Sequence, residues 1–174
     1  MNVTFSAPQL ETERLILRAP HLDDFDVFAN FYASPRAHFV GGPLTRELTW
    51  RNLALEAGHW VLKGFGRWAL VEKATHQTVG IVGLWHPEGF PENELGWDLF
   101  ECATGKGYAT EAAKAARNHA YNILGWTTLI SMIDPENTPS MRVAERLGAA
   151  YVKDFTHERF GLMQIWRHPG PQDL

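Results

Sequence analysis

The stretch Glu94-Leu95-Gly96-Trp97-Asp98-Leu99-Phe100-Glu101-Cys102-Ala103-Thr104-Gly105-Lys106-Gly107-Tyr108-Ala109-Thr110-Glu111-Ala112 changes its period halfway along. In its first part Leu95, Trp97 and Leu99 alternate with Glu94, Gly96 and Asp98, which predicts a strand with two acids on one face and large apolar groups on the other. After Ala109 the residues Ala112, Ala113, Ala116, Ala120, Ile123 and Leu124 fall on one side of a helix, and Gly125 is a stop signal. The small residues of that stripe suit close packing on a sheet. Between strand and helix lies Thr104-Gly105-Lys106-Gly107-Tyr108-Ala109, where unpaired amides and the positive end of the helix dipole converge and glycine lets an anion approach the backbone. A plain strand-to-helix turn uses the same residues, so the loop alone does not decide. A Walker loop needs Ser or Thr after a Lys that follows the last glycine, and a dinucleotide fingerprint needs a third small residue. Neither pattern is complete. The glycines also follow several strands, whereas a dinucleotide fold presents its loop after the first.

Working outward, His86 to Asn93 carries two prolines and a glycine and reads as a loop, while Trp68 to Glu72 and Thr78 to Trp85 read as a strand pair turning at Lys73 to Gln77. Leu10 to Arg18 reads as one strand. Phe25, Phe28, Ala29 and Tyr32 follow helical spacing as far as Ser34-Pro35, and a second helix spans roughly Thr45 to Leu62. Beyond the central helix, Thr127 to Ile133 is a strand, Thr138-Pro139 opens a short helix that Gly148 ends, and Ala150 to Phe155 and Leu162 to Trp166 complete the sheet. Antiparallel strands early and crossovers later predict a mixed-sheet α/β or α+β fold. No repeat or low-complexity linker interrupts the chain, so residues 1–174 are read as a single domain.

A chain of 174 residues can bury roughly two-thirds of its unfolded surface, and 45% hydrophobic with 21% charged residues places it among globular proteins. The net charge of −4, with no basic stripe, argues against a nucleic-acid partner. Cys102 is the only cysteine, so no internal disulfide and no thiolate cluster can form. Met1 to Pro8 lacks the basic flank and apolar run of a signal peptide, and no stretch approaches membrane-spanning length; no membrane partner and a cytoplasmic location are expected. The sequon Asn2-Val3-Thr4 is then idle.

Three blocks together carry a resemblance: Glu11-Thr12-Glu13-Arg14-Leu15, then Gly105-Lys106-Gly107-Tyr108-Ala109-Thr110-Glu111-Ala112, then Asn137-Thr138-Pro139-Ser140 with Glu145-Arg146-Leu147-Gly148. In this order and at these separations the chain resembles the GNAT superfamily of N-acetyltransferases, and within it the branch of ribosomal-protein N-terminal acetyltransferases. The resemblance implies a mostly antiparallel central sheet, flanked by helices and splayed between its fourth and fifth strands, here Glu94 to Phe100 and Thr127 to Ile133. Acetyl-CoA would enter that gap as co-substrate, with its pyrophosphate on Gly105, Lys106, Gly107, Tyr108, Ala109 and Thr110. The family often has Arg or Gln where this chain has Thr104, so cofactor binding there falls to the backbone. An aromatic residue usual after Leu147-Gly148 is Ala149 here, which bears on packing.

Acetyl transfer needs a neutral amine, a polarised thioester carbonyl and a proton for the departing thiolate. The resemblance implies that an unpaired amide near Leu99 and Phe100 polarises the carbonyl, that Asn137 contacts the pantetheine arm, and that Ser140 donates the proton. Both Asn137 and Ser140 also suit an ordinary helix start. Glu94 is the first candidate for the base, Glu101 its rival, and solvated strand-end carboxylates the alternative to both. Asp98 is a candidate for binding a cationic substrate. Trp85, Phe90 and Trp97 could wall a pocket or belong to the core. His157-Glu158 begins like a zincin motif but lacks its second His, and His86, His119 and His157 form no ligand set, so no metal is expected.

A protein α-amine, a lysine side chain and a small amine remain as acceptors. At pH 7 a lysine of pKa about 10.4 gives up its proton at about 4.6 kcal/mol, an α-amine of pKa about 8 at about 1.3 kcal/mol. The low-pKa amine is the easier substrate. A non-catalytic acyl-CoA-binding module and a phosphate- or nucleotide-binding domain are the competing readings. The oligomeric state is left open.

Overall fold

A computed structural model describes residues 7–174; the Asn2-Val3-Thr4 sequon and residues 1–6 of the Met1 to Pro8 stretch lie outside the described residues. Eight strands form one sheet: β1 (Leu10–Glu11), β2 (Leu15–Arg18), β3 (Arg67–Glu72), β4 (Thr78–Trp85), β5 (Glu94–Leu99), β6 (Ile130–Ile133), β7 (Ala150–His157) and β8 (Gly161–Arg167). Their spatial order is β1-β2-β3-β4-β5-β6-β8-β7. Every neighbouring pair is antiparallel except β5 and β6, which run parallel and share one registered pair, Glu94 with Ile130. The mixed, mostly antiparallel sheet with its splay is therefore as expected. The helix α3 (Tyr108–Asn122) makes the crossover that a parallel pair requires.

Helices cover both faces. On one, Ala112, Ala113, Ala116 and Ala120 of α3 are fully buried against Leu15, Leu17, Trp68, Leu70, Val82, Leu84 and Leu95. Alanine at these positions lets the helix axis come close to the sheet. On the other, α1 (Phe25–Ala33) and α2 (Arg46–Lys63) enclose Phe28, Phe31, Tyr32, Leu53, Ile81 and Phe100. The α2 helix starts on a Thr45 cap, whose side chain accepts the Leu48 N–H, and stops at Gly64 in the left-handed conformation. A smaller cluster of Ile130, Met132, Met163 and Ile165 joins the far strands to Phe90, Phe155 and Phe160.

The stretch Leu10 to Arg18 is two strands rather than one. Thr12 N–H donates to the Leu15 carbonyl at 3.0 Å, and Thr12 Oγ1 accepts the Leu15 N–H at 3.1 Å, folding β1 back on β2. Glu111, in the first turn of α3, holds this turn through the Thr12 hydroxyl at 2.6 Å, the Arg14 N–H at 2.9 Å and the Arg14 guanidinium at 2.8 Å. Two of the sequence blocks thus interlock, and the first serves to seat the helix that follows the glycine loop. The strand read from Thr127 begins only at Ile130; the bond from the His168 N–H to the Leu129 carbonyl at 3.0 Å extends its pairing with β8 by one residue. Among the described residues no helix is long and apolar enough to cross a membrane, and no group of three His, Cys, Asp or Glu is placed to hold a metal ion.

Candidate active site

The site is built around the gap between β5 and β6. The Asn93 carbonyl accepts the Ile130 N–H at 3.1 Å, after which the strands part. Two side chains bridge the apex. The Glu94 carboxyl accepts the Met132 N–H at 3.1 Å, and the Ser131 hydroxyl donates to the Leu95 carbonyl at 2.6 Å. Ser131 has one proton, so its 2.9 Å contact with His168 Nε2 is a bond donated by the imidazole. Burial pushes His168 down to about 3, which keeps that ring neutral. Strand alternation turns the odd-numbered backbone groups of β5 toward β6, as the carbonyls of Asn93 and Leu95 show. The amides of Trp97 and Leu99 therefore face the gap, where β6 no longer pairs with them. Phe100 lies outside this set: its N–H donates to Val79 at 2.9 Å and its ring sits in the α1/α2 core, edge-on to Phe28.

Glu94 is buried, with 9% of its surface exposed, so it is not a solvated strand-end acid. Loss of hydration pushes its pKa up to about 7, against the opposing pull of the Met132 N–H. Glu101 is exposed and borders a different groove with Arg18, Asp24 and Cys102, away from the gap. Asp98 accepts from Arg67 at 2.9 Å and from the Tyr32 hydroxyl at 3.3 Å, and Arg67 is also paired with the fully buried Glu56. Asp98 is thus committed to Arg67 rather than free to take a ligand. The Arg67 guanidinium binds two carboxyl groups, those of Glu56 and Asp98, and its charge reaches Glu94. The Arg67–Glu56 pair was not legible in the sequence; Glu56 sits in a helix and Arg67 opens a strand, and no spacing rule joins them.

At the other end of β5, Gly105 and Gly107 both adopt positive φ (76° and 79°). None of the N–H groups of residues 105–110 has a hydrogen-bond partner among the described residues. They form an open ring of donors at the start of a 15-residue helix, which fits a pyrophosphate. The loop is held from outside: Arg14 donates to the Lys106 carbonyl at 2.9 Å, and Glu72 binds the Tyr108 hydroxyl at 2.5 Å and the Lys106 ammonium at 3.0 Å. The Thr75, Tyr108 and Lys106 donors hold the Glu72 carboxyl down at about 2. Lys106 and Thr110 have their side chains engaged, Thr110 by Arg146 at 3.3 Å, and Thr104 donates to the Glu101 carbonyl at 2.8 Å. The loop therefore offers backbone rather than side chains.

The helix α4 (Thr138–Arg146) brings the remaining candidates. The side chain of Asn137 caps it, accepting the Ser140 N–H at 3.2 Å, so the helix-start reading of Asn137 is realised. The Ser140 hydroxyl accepts the Trp97 indole N–H at 3.3 Å, which leaves its own proton free to donate. A cavity of about 310 Å³ opens beside them; Glu94, Asp98, Trp97, Asn137 and Ser140 line it together with Trp85, Phe90 and His157. The structure thus brings Glu94 and Ser140 to one cavity and leaves Glu101 outside it.

A split parallel pair, unpaired amides facing the gap and an anion cradle at its end define an acyl-CoA-dependent transferase architecture. Residues 14–150 match the acetyltransferase (GNAT) domain family, and the chain belongs to it. It is an N-acetyltransferase. It is 29% identical over 166 residues to the uncharacterized N-acetyltransferase p20 of Bacillus licheniformis, covering 90% of this chain and 92% of that one. An acetyltransferase from Agrobacterium tumefaciens superposes with TM-score 0.86 at 38% identity, covering 97% and 98% of the two chains. A ribosomal-protein-S5-alanine acetyltransferase from Vibrio fischeri shares the fold, with TM-score 0.73 at 17% identity over 97% and 100%.

Proposed function

We propose that this chain, as one domain over residues 1–174, acetylates a primary amine of low basicity, such as the α-amine of an amino acid derivative or a protein N-terminus, by direct attack with both substrates bound. The observation that carries this is Glu94, a buried carboxyl with a pKa of about 7 in the wall of the cavity. A base of that strength takes the proton of an α-amine, pKa about 8, with little loss, whereas a lysine ammonium near 10.4 lies more than three units above it. The amine arrives in its ammonium form, and the ionised Glu94 carboxylate removes its proton, directly or through water.

Acetyl-CoA supplies the thioester, whose C–S bond breaks as the amine nitrogen bonds to the carbonyl carbon. The amides of residues 105–110 hold its pyrophosphate, and the Asn137 side-chain NH2 and the Trp97 and Leu99 backbone meet its pantetheine arm. The Leu99 N–H polarises the carbonyl oxygen. Ser140 gives its proton to the departing sulfur. The single, exposed Cys102 suits a reducing compartment such as the cytoplasm.

A panel of peptides, amino acid amides, N-acetyl-lysine derivatives and polyamines, scored for released CoA, is the test. Preference for α-amines supports the proposal, and preference for lysine or polyamine side chains overturns it. Tight CoA binding with no release from any amine would support a non-catalytic acyl-CoA-binding module instead.

A further inference from the structure

The β5–β6 pair starts as an ordinary parallel ladder and stops after its first registered pair. The Asn93 carbonyl accepts the Ile130 N–H at 3.1 Å, and Glu94 stands opposite Ile130. In a parallel pair the bonds recur evenly along both strands. Continued by two residues, this ladder would next join the Met132 N–H to the Leu95 carbonyl, and then the Trp97 N–H to the Met132 carbonyl. The register does not continue, and both partners of the first missing bond are held by side chains instead. The Met132 N–H goes to the Glu94 carboxyl at 3.1 Å, and the Leu95 carbonyl receives the Ser131 hydroxyl at 2.6 Å. One backbone bond is thus exchanged for two side-chain bonds. The strands can part here without leaving either of these buried backbone groups unpaired.

Of the two side chains, Ser131 is held from behind. It is 2% exposed, and its Oγ accepts the Nε2–H of His168 at 2.9 Å. That donor does not change with pH near neutrality, because burial, helped by the charge of Arg117, keeps the imidazole uncharged. The His168 backbone N–H donates to the Leu129 carbonyl at 3.0 Å, so the ring is carried by the pairing of β6 with β8. With the imidazole N–H on one lone pair, the single Ser131 proton is directed at the Leu95 carbonyl. Neither Ser131 nor His168 belongs to a motif visible in the sequence.

We propose that Ser131 is a positioning residue for acetyl transfer: by taking the Leu95 carbonyl, its hydroxyl ends the β5–β6 ladder and keeps the Trp97 and Leu99 amides open to the acyl-bearing arm of CoA. Ser131 lies in the cavity wall but acts through Leu95. This rests on the reading of the gap as the acyl-CoA site.

The test compares Ser131→Val with Ser131→Thr, which share a shape suited to a strand and differ by the hydroxyl. Calorimetry reads the binding of two ligands. CoA carries the arm that enters the gap; adenosine 3′,5′-bisphosphate has no arm and reports on the rest of the site. In Ser131→Val the Leu95 carbonyl loses its partner and takes the Met132 N–H, so the ladder grows by one bond into the path of the arm. The expected result is that CoA binds Ser131→Val weaker than Ser131→Thr by roughly tenfold or more, while the bisphosphate differs by less than about twofold. Equal CoA affinity in the two variants overturns the proposal. An equal loss of both ligands also overturns it, because the damage is then not confined to the gap. Ser131→Ala, which adds no volume, replaces Ser131→Val in the comparison if the latter does not fold. If neither folds, amide hydrogen exchange of the parent decides: the Trp97 and Leu99 N–H groups should exchange fast in the free protein and slow down with CoA. Slow exchange in the free protein means that the ladder is closed with Ser131 in place, and overturns the proposal. If the parent binds neither ligand, the acyl-CoA reading of the gap fails and this proposal with it. If the parent binds both and the variants agree, the proposal alone fails.

Discussion

The Glu94 carboxyl accepts the Met132 N–H at 3.1 Å across the one place where the sheet comes apart. The group that stabilises the apex of the gap is therefore also a cavity carboxyl poised near neutrality. Rates should rise with pH through about 7 as this base ionises. Glu94→Gln retains an acceptor for Met132 and removes the base, so turnover should fall by roughly 10²–10⁴-fold and the acidic limb should vanish. An unchanged pH–rate profile in the variant hands proton removal to water.

The same shift has a stability signature of opposite sense. A carboxyl whose pKa is raised from 4.5 to about 7 on folding favours the native state below pH 4.5, and that contribution is lost as pH rises through 7. Glu94→Gln should therefore gain on the parent between pH 4.5 and 8, by on the order of 2 kcal/mol. Thermal melts of both proteins at the two pH values read this directly, and a constant difference would contradict the burial of the charge.

Ser140→Ala separates chemistry from packing. The cap of α4 belongs to Asn137, so Ser140 contributes only its backbone N–H to that helix start. Removing the hydroxyl leaves the Trp97 indole N–H without its partner, at about 1 kcal/mol. If Ser140 protonates the thiolate, turnover falls roughly ten- to a thousand-fold as well, with CoA affinity near the parent value. Lowered melting with intact turnover per folded molecule would assign Ser140 to packing.

Glu72, in β3, is tied to the Gly105–Gly107 loop through Lys106 and Tyr108. Held at about 2 by Thr75, Tyr108 and Lys106, its carboxylate adds stability above pH 4.5 that is lost as pH falls toward 2. In Glu72→Gln the acid-induced loss should flatten over that window, and CoA should bind more weakly because Lys106 and Tyr108 lose their anchor. A variant with the parent's acid profile would show that these three donors do not hold the charge.

Local chemistry made much of this legible. Gly105 and Gly107 before a helix, Asn137 before Thr138-Pro139, and the alternation of Glu94 to Leu99 each state their structure within a few residues. The break at Thr12 to Arg14 was hidden, because LETERLILR reads as unbroken strand and the turn is held by Glu111, nearly a hundred residues later. The bond that holds Glu94 comes from Met132 of β6, and the commitment of Asp98 depends on Arg67. His157 was read only as half of a metal motif; the turn that fixes its tautomer appears once β7 and β8 pair.

Gly107 tests the cradle. At φ 79° it caps α3, and a Cβ there would meet Arg14 at 3.6 Å, an ordinary contact and the nearest among the described residues beyond its chain neighbours. The demand on this position is thus conformational: a side chain is not excluded by a clash, but an L-residue pays about 1–2 kcal/mol to remain left-handed, and a β-branched one more. Gly107→Val should swing the loop out of this conformation, turn its N–H groups from the pyrophosphate and weaken CoA binding by about tenfold or more. Gly107→Asn, which tolerates the left-handed region, should lie between Val and the parent. S-acetylpantetheine lacks the pyrophosphate and provides the control, since its use should be equally slow in the parent and in Gly107→Val. If the Val variant binds CoA as tightly as the parent, the anion does not sit on this loop; if both ligands lose ground equally, the substitution has disturbed the sheet rather than the cradle.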